Sequence, residues 1–153
     1  MFGASIEVQS DISRLTHIDA FMENVMREYC IDEDFWGVLS YPLYECVKNA
    51  MIHGNKSDFN KKVFVGCTYH QSKLHFLIKD EGEGFDYQSI LSGQTFTGGL
   101  AAVKLLTKNV QFSHNGSQIR YALTVPFGVK KRHERQFRLR RTRFSKIQHI
   151  QKT

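Results

Sequence analysis

An α+β domain, with a mixed, mainly antiparallel sheet covered by helices on one face, is the fold class this sequence predicts. Three observations carry it. Apolar residues at helical spacing crowd the first third of the chain, apolar residues at strand spacing follow as two hairpins, and the two kinds of segment are segregated rather than strictly alternating. A chain of 153 residues with 41% hydrophobic and 12% aromatic content suits one such domain with a sizeable core.

Ile6 and Val8 alternate with polar neighbours and predict a first strand, closed by a turn at Ser10 or Asp11. Ile18, Phe21, Met22, Val25 and Met26 recur at helical intervals and predict a helix from about His17 to Tyr29 with these residues in the core. Asp32 is a candidate cap for a second helix through Phe35, Val38 and Leu39, also assigned to the core. Pro42 lacks an amide hydrogen, so either that helix kinks there or a new one starts near Ser40 with Pro42 in its first turn. Beyond either break lies Glu45 to Lys56, ECVKNAMIHGNK. As a helix it presents Leu43, Val47, Ala50 and Met51 on an apolar face, with Glu45 and Asn49 beside it one turn apart. Gly54 is expected to supply a left-handed helix stop, leaving Asn55 and Lys56 at the rim.

Val63, Val65, Cys67 and Tyr69 alternate against Leu74, Phe76 and Ile78, with Gln71-Ser72 as the hairpin tip. Continuing that alternation turns Asp80 toward the core, where a carboxylate needs a donor. Gly82 and Gly84 follow at a spacing that lets backbone approach a flat ligand, and Phe85 is available to close the pocket. Tyr87 to Ser92 suits a short helical turn, and Gly98 to Lys108 a helix with Leu100, Ala102, Val103 and Leu106 inward. Asn115-Gly116 then marks a tight turn joining Val110 to Ser113 with Ile119 to Val125.

Taken singly, an EXXXN helix is usually a solvated surface helix, and Asp-Glu-Gly-Glu-Gly is usually a polar turn. Their order is more specific. A helix bearing Glu45, Asn49 and His53-Gly54-Asn55, then the DXGXGF loop from Asp80, then Gly98-Gly99-Leu100 opening another helix, resembles the GHKL ATPase superfamily of gyrase, heat-shock chaperones, histidine kinases and mismatch-repair proteins. Within it the chain is most similar to the small bacterial anti-sigma-factor serine/threonine-protein kinases, which carry E-x-x-x-N-A-x-x-H-G where this chain has Glu45 to Gly54. The resemblance spans about Ile6 to Val125 and implies the Bergerat, histidine-kinase-like ATPase fold, a two-layer α/β sandwich.

It also implies a chemistry, residue by residue. Asp80 would accept the adenine amino group, Gly82 and Gly84 would admit the base, and Asn49 would ligate a Mg2+ ion bridging the phosphates of ATP. Gly98, Gly99 and Leu100 would present amide hydrogens to phosphate at a helix N-terminus, with Lys104 either assisting or merely solvated. Glu45 would be the general base for a serine hydroxyl or water. His53 either bears on phosphate or packs, packing being the preferred reading, and stays outside the catalytic set. The implied partners are a sigma factor and an anti-sigma-factor antagonist, and a homodimer is compatible with the family. Thr97 replaces the first glycine of the family's G-x-G-L box, and the lid from Tyr87 to Phe96 is short. Two function classes therefore stand side by side: a protein-serine kinase, favoured by Glu45, and a nucleotide-gated binding module without kinase activity, favoured by Thr97 and the short lid. The segment before the Glu45 helix is too short for a dimerisation hairpin, which argues against a complete histidine kinase.

Charge divides the chain. From Lys130 onward stand ten Lys or Arg and one acid, a net +9, whereas the remaining 11 basic and 14 acidic side chains leave −3, so the overall +6 describes the tail. Residues 1–127 are thus expected to form the ATPase domain and residues 128–153 a basic tail. With Phe137, Leu139, Phe144 and Ile147 among its charges, the tail suits nucleic-acid phosphates, a membrane surface, an acidic partner, or simple solvation. Nucleic-acid binding as the main function ranks third. Cys30, Cys46 and Cys67 sit in apolar contexts without CXXC spacing, which predicts reduced thiols and no zinc site. With no signal-length or membrane-length apolar run, a cytoplasmic protein without a membrane span is expected.

Overall fold

Strands β1 (Ala4–Gln9), β2 (Lys62–His70), β3 (Lys73–Asp80), β4 (Gln111–Ser113) and β5 (Gln118–Thr124) form one sheet in the order β1-β2-β3-β5-β4. This computed structural model describes residues 2–84, 86, 88, 103–104, 107 and 109–125. Every strand pairing among the described residues is antiparallel, which agrees with the expected, mainly antiparallel α+β sheet. The β2–β3 register sets Val63 opposite Asp80 and His70 opposite Lys73. The hairpin tip is Gln71-Ser72, both with positive φ (49° and 59°), the signature of a two-residue turn whose twist matches the strands. The β4–β5 hairpin turns at His114, Asn115 and Gly116, again with positive φ throughout.

Among the described residues, two long helices cover one face. Asp11 caps a 3-10 turn, Ile12–Leu15, by accepting from the Ser13 amide, and α1 (Thr16–Glu28) follows. Asp32 caps another short turn, Glu33–Phe35, which leads into α2 (Trp36–Asn49). The α1 stripe Ile18, Phe21, Met22, Val25 and Met26 is wholly buried, as are Leu43, Val47, Ala50 and Met51 of the second helical segment. They meet Val63, Val65, Cys67, Leu74, Phe76, Ile78, Tyr121 and Leu123 in one continuous core. Burying each such aliphatic or aromatic side chain is worth roughly 1.5–3 kcal/mol, which makes this layer contact the main source of stability. The opposite sheet face has a smaller cover, where Phe2 packs on Phe64 at 5.5 Å between ring centroids.

Helix α2 continues through Pro42 instead of restarting near Ser40. The carbonyl that proline leaves without an amide partner belongs to Val38, a residue 46% exposed, where water can satisfy it. The same exposure removes Val38 from the core to which the periodicity had assigned it. All three cysteines are free thiols, Cys46 and Cys67 buried and Cys30 partly so. Burial raises the Cys67 thiol pKa to about 12 and pushes Cys46 up as well, which makes both poor nucleophiles at neutral pH. Among the described residues no helix is long and apolar enough to cross a membrane.

Candidate functional site

The site begins where β3 ends. Strand alternation carries Leu74, Phe76, Ile78 and then Asp80 to the helix-covered face, and Asp80 is only 5% exposed. Its amide donates to the Ser117 carbonyl at 2.9 Å, tying the strand end to the β4–β5 hairpin. Its Oδ1 accepts from the Gly82 amide at 2.8 Å. Burial pushes the Asp80 pKa above its ordinary value, while the Gly82 amide and the Lys61 ammonium pull in the other direction. A carboxylate has capacity for about four hydrogen bonds, so Asp80 keeps acceptor capacity toward the cleft that it lines.

Helix α2 reaches the same place from the other side. After Asn49 the helix widens into a π-helical turn, Ala50–Gly54, in which the Asn55 amide donates to the Ala50 carbonyl at 2.8 Å. The positive φ values that end the helix belong to Lys56 (54°) and Ser57 (58°), so Gly54 is not the left-handed stop expected of it. Gly54 is small for another reason: a Cβ there would overlap the Asp80 carboxylate. A Cβ on Gly82 would overlap the Gly54 carbonyl, and one on Gly84 (φ 91°) the Asn115 carbonyl. The loop glycines thus let the loop lie against the helix end and the hairpin turn.

Asn55, expected at the rim, is 1% exposed. Its Nδ2 donates to Ser10 Oγ and to the Lys62 carbonyl, each at 2.8 Å, and its Oδ1 accepts from the Glu81 amide at 2.8 Å. One side chain therefore joins the end of β1, the start of β2 and the residue after Asp80. The sequence reading assigned it no role in the site.

Together these elements line a shallow, solvent-open cleft bordered by Cys46, Asn49, Ala50, Ile78, Asp80, Phe112, Gly116, Ser117 and Ile119. Asn49 and Asp80, far apart in sequence, share it. Glu45 does not line it; it lies one turn before Asn49, its side chain 17% exposed, with its Oε1 at 3.3 Å from Lys48 Nζ. His53 is exposed, which rules out the packing role preferred for it. Val103 and Lys104 are helical, Val103 buried and Lys104 exposed, and the Thr107 amide donates to the Val103 carbonyl at 2.8 Å. Gly98, Gly99, Leu100, Thr97 and Phe85 lie outside the described residues, as do the basic tail and all of the lid except Gln88.

Chemically, the walls Ala50, Ile78, Phe112 and Ile119 suit a flat apolar group, Asp80 suits an amino donor on its edge, and Asn49 offers an amide oxygen. Phe112 and Ile119 came from a hairpin that nothing local in the sequence connected with the site. Compared with known families, residues 8–123 match the one described as the histidine kinase-like ATPase domain. No curated protein matches the chain.

Proposed function

Because the chain belongs to the histidine kinase-like ATPase domain family and is an ATP-binding module, we propose that it is an anti-sigma factor with serine-protein kinase activity toward an anti-sigma-factor antagonist. The observation that supports this most is the meeting of Asn49 and Asp80 at one cleft. A buried carboxylate among apolar walls fits adenine, whose amino group would donate to Asp80. Among the described residues no group of three or more His, Cys, Asp or Glu is placed to hold a metal. Magnesium on a nucleotide does not need one, since phosphates and water supply most of its ligands and one protein oxygen, that of Asn49, suffices.

Phosphoryl transfer from ATP is chiefly a matter of positioning and charge neutralisation, which bound magnesium supplies. The chain's own part falls to Asp80, which fixes the base, to Asn49, which fixes the ion, and to Glu45, which accepts the proton of the attacking serine hydroxyl. Lys48, paired with Glu45, holds that carboxylate on the turn next to Asn49. The same observation favours a second reading. Glu45 stands outside the cleft lining and has a cation already, which suits a nucleotide-gated binding module that transfers nothing.

Transfer of radiolabel from γ-labelled ATP to candidate antagonist proteins separates the two. A kinase labels one of them, and Glu45→Gln keeps ATP binding while its rate falls by about 10²- to 10⁴-fold, the usual worth of a general base. Absence of transfer from the wild-type protein, with ATP-dependent partner binding intact in Glu45→Gln, replaces the kinase by the binding module.

A further inference from the structure

The proton acceptor and the metal ligand share helix α2, whereas the base-reading carboxylate lies on β3, and no local covalent link fixes the one element against the other. Asn49 sits on α2, Asp80 on β3, and the covalent path between them runs through the whole of β2 and its hairpin. One side chain spans the gap directly. We propose that Asn55 is the positioning residue of the nucleotide site, holding the Asp80 carboxylate in register with the α2 helix end so that it discriminates the edge of the bound base. The inference rests on the ATP-binding reading of the cleft.

Three side-chain contacts and one backbone bond carry it. The Glu81 amide, next in the chain after Asp80, is held by Asn55 Oδ1 at 2.8 Å. The two Nδ2 hydrogens are used on Ser10 Oγ and the Lys62 carbonyl, so the amide is locked in one orientation: a flip would set its oxygen against the Lys62 carbonyl and its NH2 against the Glu81 amide. The Asn55 backbone is bound to the helix through the Ala50 carbonyl. Through this path Asp80 is set against Gly54, the residue before Asn55, at a distance that excludes even a methyl group. A buried side chain that uses both donors and an acceptor on three separate segments has few substitutes, because each lost bond strands a buried partner.

The functional consequence is selectivity rather than affinity alone. A firmly held carboxylate accepts from the amino group of adenine and repels the carbonyl oxygen that hypoxanthine carries in its place. Loosened, Asp80 holds the first less well and opposes the second less. ATP and ITP affinities, measured by calorimetry on the full-length wild type and Asn55→Ala, are therefore expected to converge. The ATP/ITP preference should shrink on the order of tenfold in the variant, mostly through weaker ATP binding. Ser10→Ala, which removes one of the three side-chain contacts and leaves the Glu81 link, should reduce the preference by less than Asn55→Ala does. Should Asn55→Ala not fold, Asn55→Ser, which keeps a short polar side chain, is read the same way.

A wild-type preference retained in the folded Asn55 variant, or ATP and ITP weakened by the same factor, overturns the positioning role and leaves the ATP-binding reading standing. A wild type that binds neither nucleotide overturns that reading and the inference with it.

Discussion

Replacing Gly54 with alanine adds one methyl group at the point where the helix end meets the Asp80 carboxylate. The backbone there is not left-handed, so alanine carries no conformational penalty and, by restricting the unfolded chain, would by itself stabilise the protein by roughly 0.4–1 kcal/mol. Sterics oppose this. The new Cβ overlaps the Asp80 carboxylate, and neither side yields easily: the Asp80 amide is bound to Ser117 and its Oδ1 to Gly82. Overpacking of this kind costs about 1–3 kcal/mol, and turning the carboxylate away gives up a hydrogen bond to a charged group worth about 1.5–3 kcal/mol. The net expectation is a loss of about 1–3 kcal/mol, which for a domain of this size lowers Tm by roughly 2–4 °C per kcal/mol. Gly37, exposed near the start of α2, provides the control, because a Cβ there meets nothing within 4 Å. Gly37→Ala should be neutral or stabilising by up to about 1 kcal/mol. Urea unfolding of both variants, followed by ATP titration, reads the difference; Gly54→Ala should also bind ATP more weakly. If Gly54→Ala matches Gly37→Ala in stability and in ATP affinity, the close approach of helix end and carboxylate is not a constraint, and the reasoning fails.

Two further outcomes test other parts of the account. Burial raises the Asp80 pKa in the fold above its ordinary 3.8, so the native state holds that proton more tightly than the unfolded chain. The stability this confers is fully present below the ordinary value and is lost as pH rises through the raised one. Wild-type stability relative to Asp80→Asn should therefore decline with rising pH across that interval and then level off; urea unfolding of both proteins from about pH 3 to 7 shows whether it does. Truncation after Phe127 should leave ATP affinity and folding unchanged, while polyanion binding, where the full chain shows it, should fall steeply with salt and vanish with the ten cations of the tail. Loss of ATP binding on truncation would place the tail inside the domain.

Periodicity made the layers legible. The α1 stripe and the apolar face of α2 are statements about 3.6-residue spacing, and Asp80 was placed on the core side by strand alternation alone, because both signals are local. What was not legible depends on contacts between distant segments. Gly54 looks like a helix stop in sequence, since glycine after a helix usually is one; its actual constraint is a side chain from β3. Asn55 carries no local sign that Ser10, Lys62 and Glu81 converge on it. The passage of α2 through Pro42 and the exposure of Val38 have a common origin: a helix tolerates proline where the carbonyl it orphans faces water, and only the packed fold says which way Val38 points.

The central claim is that the cleft between α2 and β3 binds ATP through Asp80, and calorimetric titration of Mg-ATP into the wild type and Asp80→Asn tests it most directly. An amide can present its oxygen to the adenine amino group only by turning its own donor elsewhere, and it lacks the charge, so the variant should lose ATP binding or weaken it by at least about tenfold while staying folded. Saturable binding by the wild type and little or none by Asp80→Asn is the predicted result. Equal affinity in the two proteins, or no binding by the wild type, would contradict the account.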